Sequence, residues 1–560
     1  MNETISNFRN LTEEEIDILK KQGCLAENWN AIYISPKLDI TKLIHVFFKD
    51  ELYIHEGVKL RNIPGGIGGC VVNKDAIIEN VASIEFDYES THAVGTLVSV
   101  LDETGSRAVP IFPGLSSQLA VIMARKPEWL HKISEKSLGE FLKSKLTPSE
   151  LGEKCVIKNC GTLRNVFIDR EVVVEGASRL LNGSIINNAE QGKCFSYIGN
   201  EVEAENFILE DGKLESKCHI VNCYIGQGAE IGSGFSAHDS LFFANCSFEN
   251  GEAHSLLAGP FTVSMHKGTL LIGCQTSFMN AGSSSNQSNH MYKLGPLHWG
   301  ILERGTKTSS ASYLMHGAKI GAYSLLMGAH KTHPDSSDFP FSYLFGDERG
   351  NTVVVPGLML RSCGLLRDEA KWPLRDRRKD KGLPLLDHIT FNVFNPYTID
   401  IMLKSIDVID KLLSRPIGDE SFIRYKGMQL TRAGIERARH LYTLAIFKYL
   451  ATTLPELKFP ENDGLSADEW VDLGGEILPR SYLNRIKESG KIDEAIEALD
   501  EAYTNYHKLE LEWIGRRFDS SWRDKENEIA ENARRLDEII EEDRQQYYEM
   551  LEREKNMLSL

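Results

Sequence analysis

The stretch CVIKNCGTLRNVFIDREVVVEGASRLLNGSII, residues 155–186, decides the fold. An aliphatic or β-branched residue occupies every sixth position in it: Val156, Thr162, Ile168, Val174, Leu180 and Ile186. An amphipathic helix repeats at 3.6 residues and a simple strand at 2, so neither produces this spacing. A period of six is typical of a β-solenoid in which each unit forms one side of a triangular coil and points its aliphatic residue inward.

The same spacing extends well beyond this stretch. It resumes in three further series, which are Ile198 and Ala204; Ile225, Ile231, Ala237 and Phe243; and Leu302, Thr308, Leu314, Ile320 and Leu326. Stacked coils bury each other's faces, so the series belong to one prism. The sequence therefore predicts a mainly β solenoid over 155–345, with inserted loops where the spacing fails.

These residues, together with the unit Ile225-Gly226-Gln227-Gly228-Ala229-Glu230-Ile231-Gly232, resemble the left-handed parallel β-helix (hexapeptide-repeat) superfamily. That superfamily includes acyl-CoA-dependent acyltransferases, sugar-nucleotide pyrophosphorylase tails and trimeric carbonic anhydrases. The full-length layout also resembles an uncharacterised bacterial family of unknown function. The first resemblance implies a homo-oligomer, because flat prism sides pack well around a threefold axis. A trimer is expected on that ground, and a dimer if the helical half directs assembly.

Changes in residue pattern divide the rest of the chain into segments. We predict an N-terminal cap over 1–55, where Thr12 and Glu15 form a capping box, and an irregular β region over 56–154 with a helical insert. Residues 346–395 are a transition that contains the basic segment 372–381, either a solvated loop or a lid that faces phosphate. Apolar residues at helical spacing predict a C-terminal α-helical domain over 396–560.

Composition narrows the class of protein. The chain carries 63 Lys and Arg against 80 Asp and Glu, a formal net charge of -17, which disfavours general nucleic-acid binding. It has no apolar run of about 20 residues for a membrane span. The polar start Met1-Asn2-Glu3-Thr4 is unlike a signal peptide, and no two of the ten cysteines form a CxxC pair. We therefore expect a cytoplasmic protein with reduced thiols and no membrane partner.

The candidate site lies where the repeat is lost, between 275 and 300. Loops that leave a rigid scaffold tend to carry function. Half of the 16 histidines lie between 238 and 333, and basic residues accompany them. In an acidic chain this local cluster indicates an anionic small molecule, such as phosphate, a sugar nucleotide or the pyrophosphate of CoA.

Three interpretations of the cluster remain open. In the first, the protein is a transferase-like enzyme that acts on a sugar, sugar phosphate or nucleotide sugar, with His290 or His316 as general base. Acyl-CoA or a nucleotide sugar would then be the co-substrate. The substrate-binding candidates are Ser285, Asn286, Asn289, Lys293, Arg304, Lys307, Lys319, His330 and Lys331.

The second interpretation is a zinc site like that of the β-helical carbonic anhydrases, built from His316 and the pair His330 and His333. Because the spacing of the pair differs from the pattern of that family, we assign no residue as a metal ligand. The third interpretation is structural: the histidines are stacked polar residues on solenoid faces or at a subunit interface. For the protein as a whole, the alternative to an enzyme is a non-catalytic scaffold that binds a metabolite through the solenoid loops.

Overall fold

The computed structural model describes residues 8–288, 298–415, 422–457, 466–518, 522 and 525–558. It is a parallel β-solenoid followed by helices, in agreement with the predicted fold class.

Short strands separated by tight corners form the solenoid. Those of its first half are β1 (Arg9–Asn10), β2 (Leu25–Ala26), β3 (Ile32–Ile34), β4 (Leu43–Phe48), β5 (Leu52–Ile54), β6 (Lys59–Gly68), β7 (Cys70–Val72), β8 (Ile77–Glu85), β9 (Leu97–Ser99), β10 (Ala108–Pro110), β11 (Glu150–Leu151), β12 (Val156–Ile168), β13 (Val173–Glu175), β14 (Arg179–Ile186), β15 (Tyr197–Ile198), β16 (Glu203–Glu210), β17 (Lys213–Leu214), β18 (His219–Ile225), β19 (Glu230–Gly232) and β20 (Ser236–Phe242). Of these, β9 and β10 pair only with each other, as a hairpin outside the coils.

The second half continues in the same way and ends in a small sheet. Its strands are β21 (Ser247–Glu249), β22 (Glu252–His254), β23 (Leu257–Ala258), β24 (Val263–Ser264), β25 (Leu270–Ile272), β26 (Cys274–Thr276), β27 (Asn286–Gln287), β28 (Gly300–Leu302), β29 (Lys307–Thr308), β30 (Tyr313–Leu314), β31 (Lys319–Ile320), β32 (Leu325–Met327), β33 (Ala329–His330), β34 (Tyr343–Gly346), β35 (Thr352–Val355), β36 (Ile423–Tyr425), β37 (Met428–Leu430), β38 (Trp470–Leu473) and β39 (Glu476–Pro479).

Strand register shows that the coils differ in length. Glu203 pairs with His219 and His219 pairs with Ser236, so these two coils are shorter than three hexapeptides. Glu252 pairs with Leu270, which is the spacing of three hexapeptides. Asn286 pairs with Tyr313, so this coil is much longer than the other three. The coils are therefore not uniform units, and the longest of these contains part of the predicted break in the repeat.

This variation shifts the phase of the inward residues. Ile168, Val174 and Leu180 lie in the core, as the spacing predicts. The first two members of the series were wrong: Val156 is half-buried and Thr162 exposed, while the next residues, Ile157 and Leu163, point inward. A coil shorter than three hexapeptides omits positions of the repeat, so a strict count of six cannot stay in phase.

The N-terminal boundary predicted at residue 55 is too late. β3 already pairs in parallel with β5, and β5 pairs with β7. The coils then pass directly from β8 to β12. Residues 86–149 are therefore an insertion within the solenoid, and the segments before it belong to the prism rather than to a cap or an irregular region.

Helices occupy this insertion and most of the chain after the solenoid, and one more lies near the N-terminus. They are α1 (Glu13–Lys21), α2 (Ser117–Arg125), α3 (Pro127–Lys132), α4 (Glu135–Ser144), α5 (Cys363–Lys371), α6 (Pro396–Leu413), α7 (Arg432–Thr453), α8 (Arg480–Glu488), α9 (Ile492–Thr504), α10 (Tyr506–Arg517) and α11 (Glu526–Leu558). α1 begins at the predicted capping box. α11 packs against α7, and within the described ranges no helix has the length and apolar character of a membrane span.

Candidate functional site

The C-terminal elements fold back onto the solenoid and enclose a cavity of about 310 Å³, the interdomain cavity. Its solenoid wall is formed by the loop after β26 and by β28, together with Lys319 of β31. The opposite wall comes from α6, from β38 and from Arg480. Arg125, the last residue of α2, closes one side. Four separate parts of the chain therefore meet at this point.

Charged side chains line the cavity densely. Its cations are Arg125, Arg304, Lys319, Lys404 and Arg480, and its carboxylates are Glu303, Asp338, Asp400, Glu469 and Asp472. Several of these charges are already paired with each other. Lys404 Nζ lies 2.8 Å from carboxylate oxygens of both Asp400 and Glu469, and Arg480 Nε lies 2.5 Å from Glu469.

Arg304 is the most deeply buried of these cations, with no exposed surface. Its Nε donates to Tyr323 Oη at 3.1 Å, its Nη2 donates to the Thr390 carbonyl, and its guanidinium lies over the Phe278 ring. Nη1 lies 3.7 Å from Asp472 Oδ2 and has no hydrogen-bond partner in the part of the chain that the structure describes. A buried donor without a partner is costly, so Nη1 is a site for a ligand acceptor.

Glu303 lies beside Arg304 on the solenoid wall. Tyr397 Oη donates to Glu303 Oε2 at 3.0 Å, and Lys319 Nζ lies 3.4 Å from Oε1. Burial raises the pKa of this carboxyl, and the nearby Lys319 opposes the shift. A raised pKa makes an ionised carboxylate a stronger proton acceptor than an ordinary one.

Three further polar groups of the cavity lack complete pairing. Asp472 accepts a hydrogen bond from the Gly475 N–H at 3.0 Å through Oδ1, and burial raises its pKa. Gln275 Oε1 is buried without a hydrogen-bond partner in the described ranges. The Arg125 side chain makes no hydrogen bond or ion pair with any described residue, and its charge lowers the pKa of Asp472.

Two of the predicted substrate-binding residues, Arg304 and Lys319, line this cavity. Lys307 lies elsewhere: its Nζ pairs with Asp368, and it lines a second cavity of about 540 Å³ beneath Trp372 and Arg377. Lys331 packs its aliphatic stem near Gly350 and is not among the residues around either cavity.

The predicted serine and asparagine of the loop belong to the coils. Ser285 is buried in the prism, where its hydroxyl bonds to the Gly282 carbonyl and to Thr308 Oγ1. Asn286 begins β27 and accepts a hydrogen bond from Ser288 Oγ at 2.8 Å. Neither residue lines the interdomain cavity. Asn289, His290 and Lys293 lie outside the described residues.

The predicted base His316 is wholly buried and does not line the interdomain cavity. Its Nε2 donates to the Ile272 carbonyl at 2.8 Å, and its own carbonyl accepts a hydrogen bond from His333 Nδ1. His330 is also buried, with Nδ1 3.0 Å from Thr352 Oγ1, so it is not placed to bind substrate. These contacts do not support the zinc alternative, and no group of three or more candidate metal ligands occurs among the described residues.

Other histidines fit the structural interpretation. His219, His238 and His254 lie on successive coils, with ring centroids 5.4 Å and 6.0 Å apart. The basic segment 372–381 does fold back over the solenoid, but two of its three arginines bind other residues of the chain. Arg377 donates to the Gly228 carbonyl and to Ser247 Oγ, and Arg378 pairs with Asp376.

Sequence reasoning missed Arg125, Glu303, Tyr397 and Asp472. Arg125 is the last residue of α2, and Tyr397 lies at the start of α6. In both segments the helical pattern of the sequence explains the residue without any functional role. Glu303 directly precedes the predicted Arg304, so the adjacent pair of opposite charges was the one available signal.

Comparisons with known proteins support a family without an assigned activity. The model of a family described as "Domain of unknown function (DUF4954)" matches residues 8–71 and 52–413. An uncharacterized protein of Treponema pallidum (strain Nichols) is 22% identical over 458 residues, which cover 73% of this chain. The match spans 62% of the length of that relative.

Proposed function

We propose a function from the interdomain cavity itself, because the chain belongs to the DUF4954 family, whose description assigns none. The protein binds a small phosphorylated sugar there and acts on it as a transferase-like enzyme. The observation that carries this proposal is Arg304, which lines the cavity and whose buried Nη1 has no hydrogen-bond partner among the described residues. Because Nε and Nη2 are already bonded, Nη1 would add one charge-assisted hydrogen bond to a phosphate oxygen.

The size of the cavity favours a sugar phosphate over larger ligands. Its volume of about 310 Å³ lies at the lower end of the range of about 300–1,000 Å³ for small-molecule sites. A nucleotide sugar or CoA would have to extend beyond the cavity. The many polar groups on its walls suit a ligand rich in hydroxyls.

Binding is tested by calorimetry on the full chain with glucose 6-phosphate, with glucose as the uncharged comparison. We expect glucose 6-phosphate to bind and Arg125→Ala to weaken it about tenfold or more, because a charge-assisted hydrogen bond is lost. The Arg125 side chain forms no hydrogen bond or ion pair with a described residue, so its removal should not unfold the chain. The matched control is Arg61→Ala, on an exposed solenoid position. Equal affinities for the sugar and its phosphate would overturn the proposal.

The transfer step assigns proton acceptance to Glu303 in place of a histidine. A hydroxyl oxygen of the bound sugar forms the new bond to the transferred group and its proton passes to the Glu303 carboxylate. The thiolate of an acyl-CoA, or the nucleoside diphosphate of a nucleotide sugar, leaves. Burial raises the pKa of Glu303, which supports this assignment because a higher pKa makes the ionised carboxylate a better proton acceptor.

Turnover is tested with acetyl-CoA and UDP-glucose as donors and glucose 6-phosphate as acceptor. We expect one donor to be consumed, and Glu303→Gln to reduce kcat about 100-fold or more while the far-ultraviolet circular dichroism stays unchanged. Glu128→Gln, on an exposed position of α3, is the control. No transfer from either donor would reject catalysis in favour of the non-catalytic metabolite-binding scaffold.

Three expectations about the family, the assembly and the location of the protein belong to the same proposal. Membership of the left-handed hexapeptide-repeat superfamily and a homo-oligomeric state follow from the predicted prism, and light scattering after gel filtration tests the oligomer. A cytoplasmic location is supported by ten cysteines that are all free thiols.

A further inference from the structure

The formal charges of the interdomain cavity cancel. Five cations and five carboxylates line it, several of them strongly buried. A ligand that brings only negative charge would leave an uncompensated charge in a poorly solvated space, which is costly. A ligand that carries a positive group as well as an anion would keep the balance.

The incompletely paired groups of the cavity are of two kinds. Arg125 and Arg304 Nη1 are donors, as described above. Asp472 Oδ2 and Gln275 Oε1 are acceptors: the first forms an ion pair with Arg304 Nη1 at 3.7 Å, beyond hydrogen-bond distance, and the second is buried without a described partner. Gln275 lines the cavity and is only 8% exposed.

We infer that the ligand of the interdomain cavity carries a primary ammonium group as well as its phosphate, as an amino sugar phosphate does. This inference rests on the proposed function. The phosphate binds Arg125 and Arg304, and the ammonium donates to Asp472 Oδ2 and Gln275 Oε1.

An ammonium suits these two acceptors better than a hydroxyl does. It has three N–H donors against a single O–H, so it reaches both oxygens at once. It also brings a positive charge to the Asp472 carboxylate, and a charge-assisted hydrogen bond is about twice as strong as a neutral one. When the phosphate is bound to the neighbouring Arg304 guanidinium, Asp472 repels it. The ammonium offsets this repulsion.

Calorimetry on the full chain compares three probes that differ at one substituent: glucosamine 6-phosphate, glucose 6-phosphate and N-acetylglucosamine 6-phosphate. We expect glucosamine 6-phosphate to bind about tenfold or more tightly than glucose 6-phosphate. The acetylated probe keeps the nitrogen but loses the charge, so it should not bind more tightly than glucose 6-phosphate.

Substitution of the acceptors tests the placement of the ammonium. Asp472→Asn should abolish the preference for the amine and leave glucose 6-phosphate bound. Gln275→Ala should reduce the preference and, because the removed oxygen has no described partner, should not impair folding. Asp407→Asn, an exposed position on α6, should keep the full preference.

The outcomes separate this inference from the proposed function. Equal affinities of the wild-type chain for the amine and the hydroxyl probe would overturn the inference and leave the sugar phosphate proposal intact. A preference that survives both Asp472→Asn and Gln275→Ala would also overturn it. If none of the three sugar phosphates binds, both the inference and the proposed function are overturned.

Discussion

At the residue scale, His330 shows how the solenoid interior changes the chemistry of one side chain. Its partners in the ladder are Leu314, and before that Gln287 and Leu271, so it occupies an inward row. The imidazole is wholly buried, and burial lowers its pKa to about 4. The folded protein therefore favours the neutral ring well below the pH at which an unfolded histidine takes up its proton.

This difference predicts a pH-dependent stability. An unfolded histidine titrates near 6.5, so the contribution of His330 is complete above about pH 6.5 and is lost as the pH falls toward 4. The shift corresponds to about 3 kcal/mol of unfolding free energy. Between pH 7.5 and pH 4.5, we expect the unfolding free energy of the wild type to fall in urea denaturation. The fall should be about 2–3 kcal/mol smaller in His330→Leu.

The control for this measurement is His131→Leu, on an exposed position of α3. It should follow the wild-type pH dependence. If His330→Leu lost as much stability as the wild type on acidification, burial of His330 would not be the cause of the acid sensitivity.

At the scale of the element, a row of asparagines links successive coils at one corner. Asn182 Nδ2 donates to Asn206 Oδ1 at 2.6 Å, and Asn206 Nδ2 donates to Asn222 Oδ1 at 3.0 Å. Asn222 in turn donates to Asp239 at 3.3 Å. All four residues have positive φ, between 45° and 52°, a region that asparagine tolerates better than most residues. The corner therefore selects asparagine for its backbone and uses its amide to join the coils.

Removing one member of this row should cost more than its backbone preference alone. Asn206→Ala loses two amide hydrogen bonds and places alanine at positive φ, which together cost about 2–3 kcal/mol. Asn250→Ala is the matched control: its φ is 57°, but it makes a single exposed bond to the Met265 carbonyl. We expect a cost of about 1 kcal/mol there in urea denaturation, and equal costs would contradict the role of the row.

At the scale of the whole molecule, Asp387 joins the insertion, the solenoid and the C-terminal part. Its Oδ1 accepts a hydrogen bond from the N–H of Ser117, which begins α2, at 2.6 Å. Its Oδ2 accepts one from the Ala244 N–H of the solenoid at 2.8 Å. Its backbone carbonyl accepts a third from Arg378 Nη1 at 2.9 Å. The Asp387 side chain is buried, and burial raises the pKa of its carboxyl.

Asp387→Ala should therefore loosen the insertion as well as lower global stability. Two buried N–H groups lose their acceptor, at a cost of about 2–5 kcal/mol in urea denaturation. Hydrogen exchange should report faster opening of α2 than of the solenoid strands. The exposed Asp407→Ala should change neither readout. Equal exchange of α2 in both variants would mean that other contacts hold the insertion.

Some features of this fold can be predicted from the sequence, and others cannot. Each coil repeats its own inward residues, so Ile168, Val174 and Leu180 suffice to indicate a solenoid, because stacking is a local relation between consecutive coils. The sequence shows less clearly which residues of the repeat point inward. Val156 and Ile157 are adjacent and both aliphatic, so hydrophobicity does not distinguish them. Only the length of the coil and the position of its corners decide which of the two side chains points inward.

The sequence by itself thus determined the solenoid and the helices that follow it, since hydrophobic spacing expresses both directly. Only the tertiary structure decided the site. Arg125, Arg304, Tyr397 and Asp472 lie far apart along the chain, and no periodicity relates them. They meet because an insertion and a C-terminal hairpin pack on one face of the coils, and long-range packing of that kind leaves no pattern in any single segment.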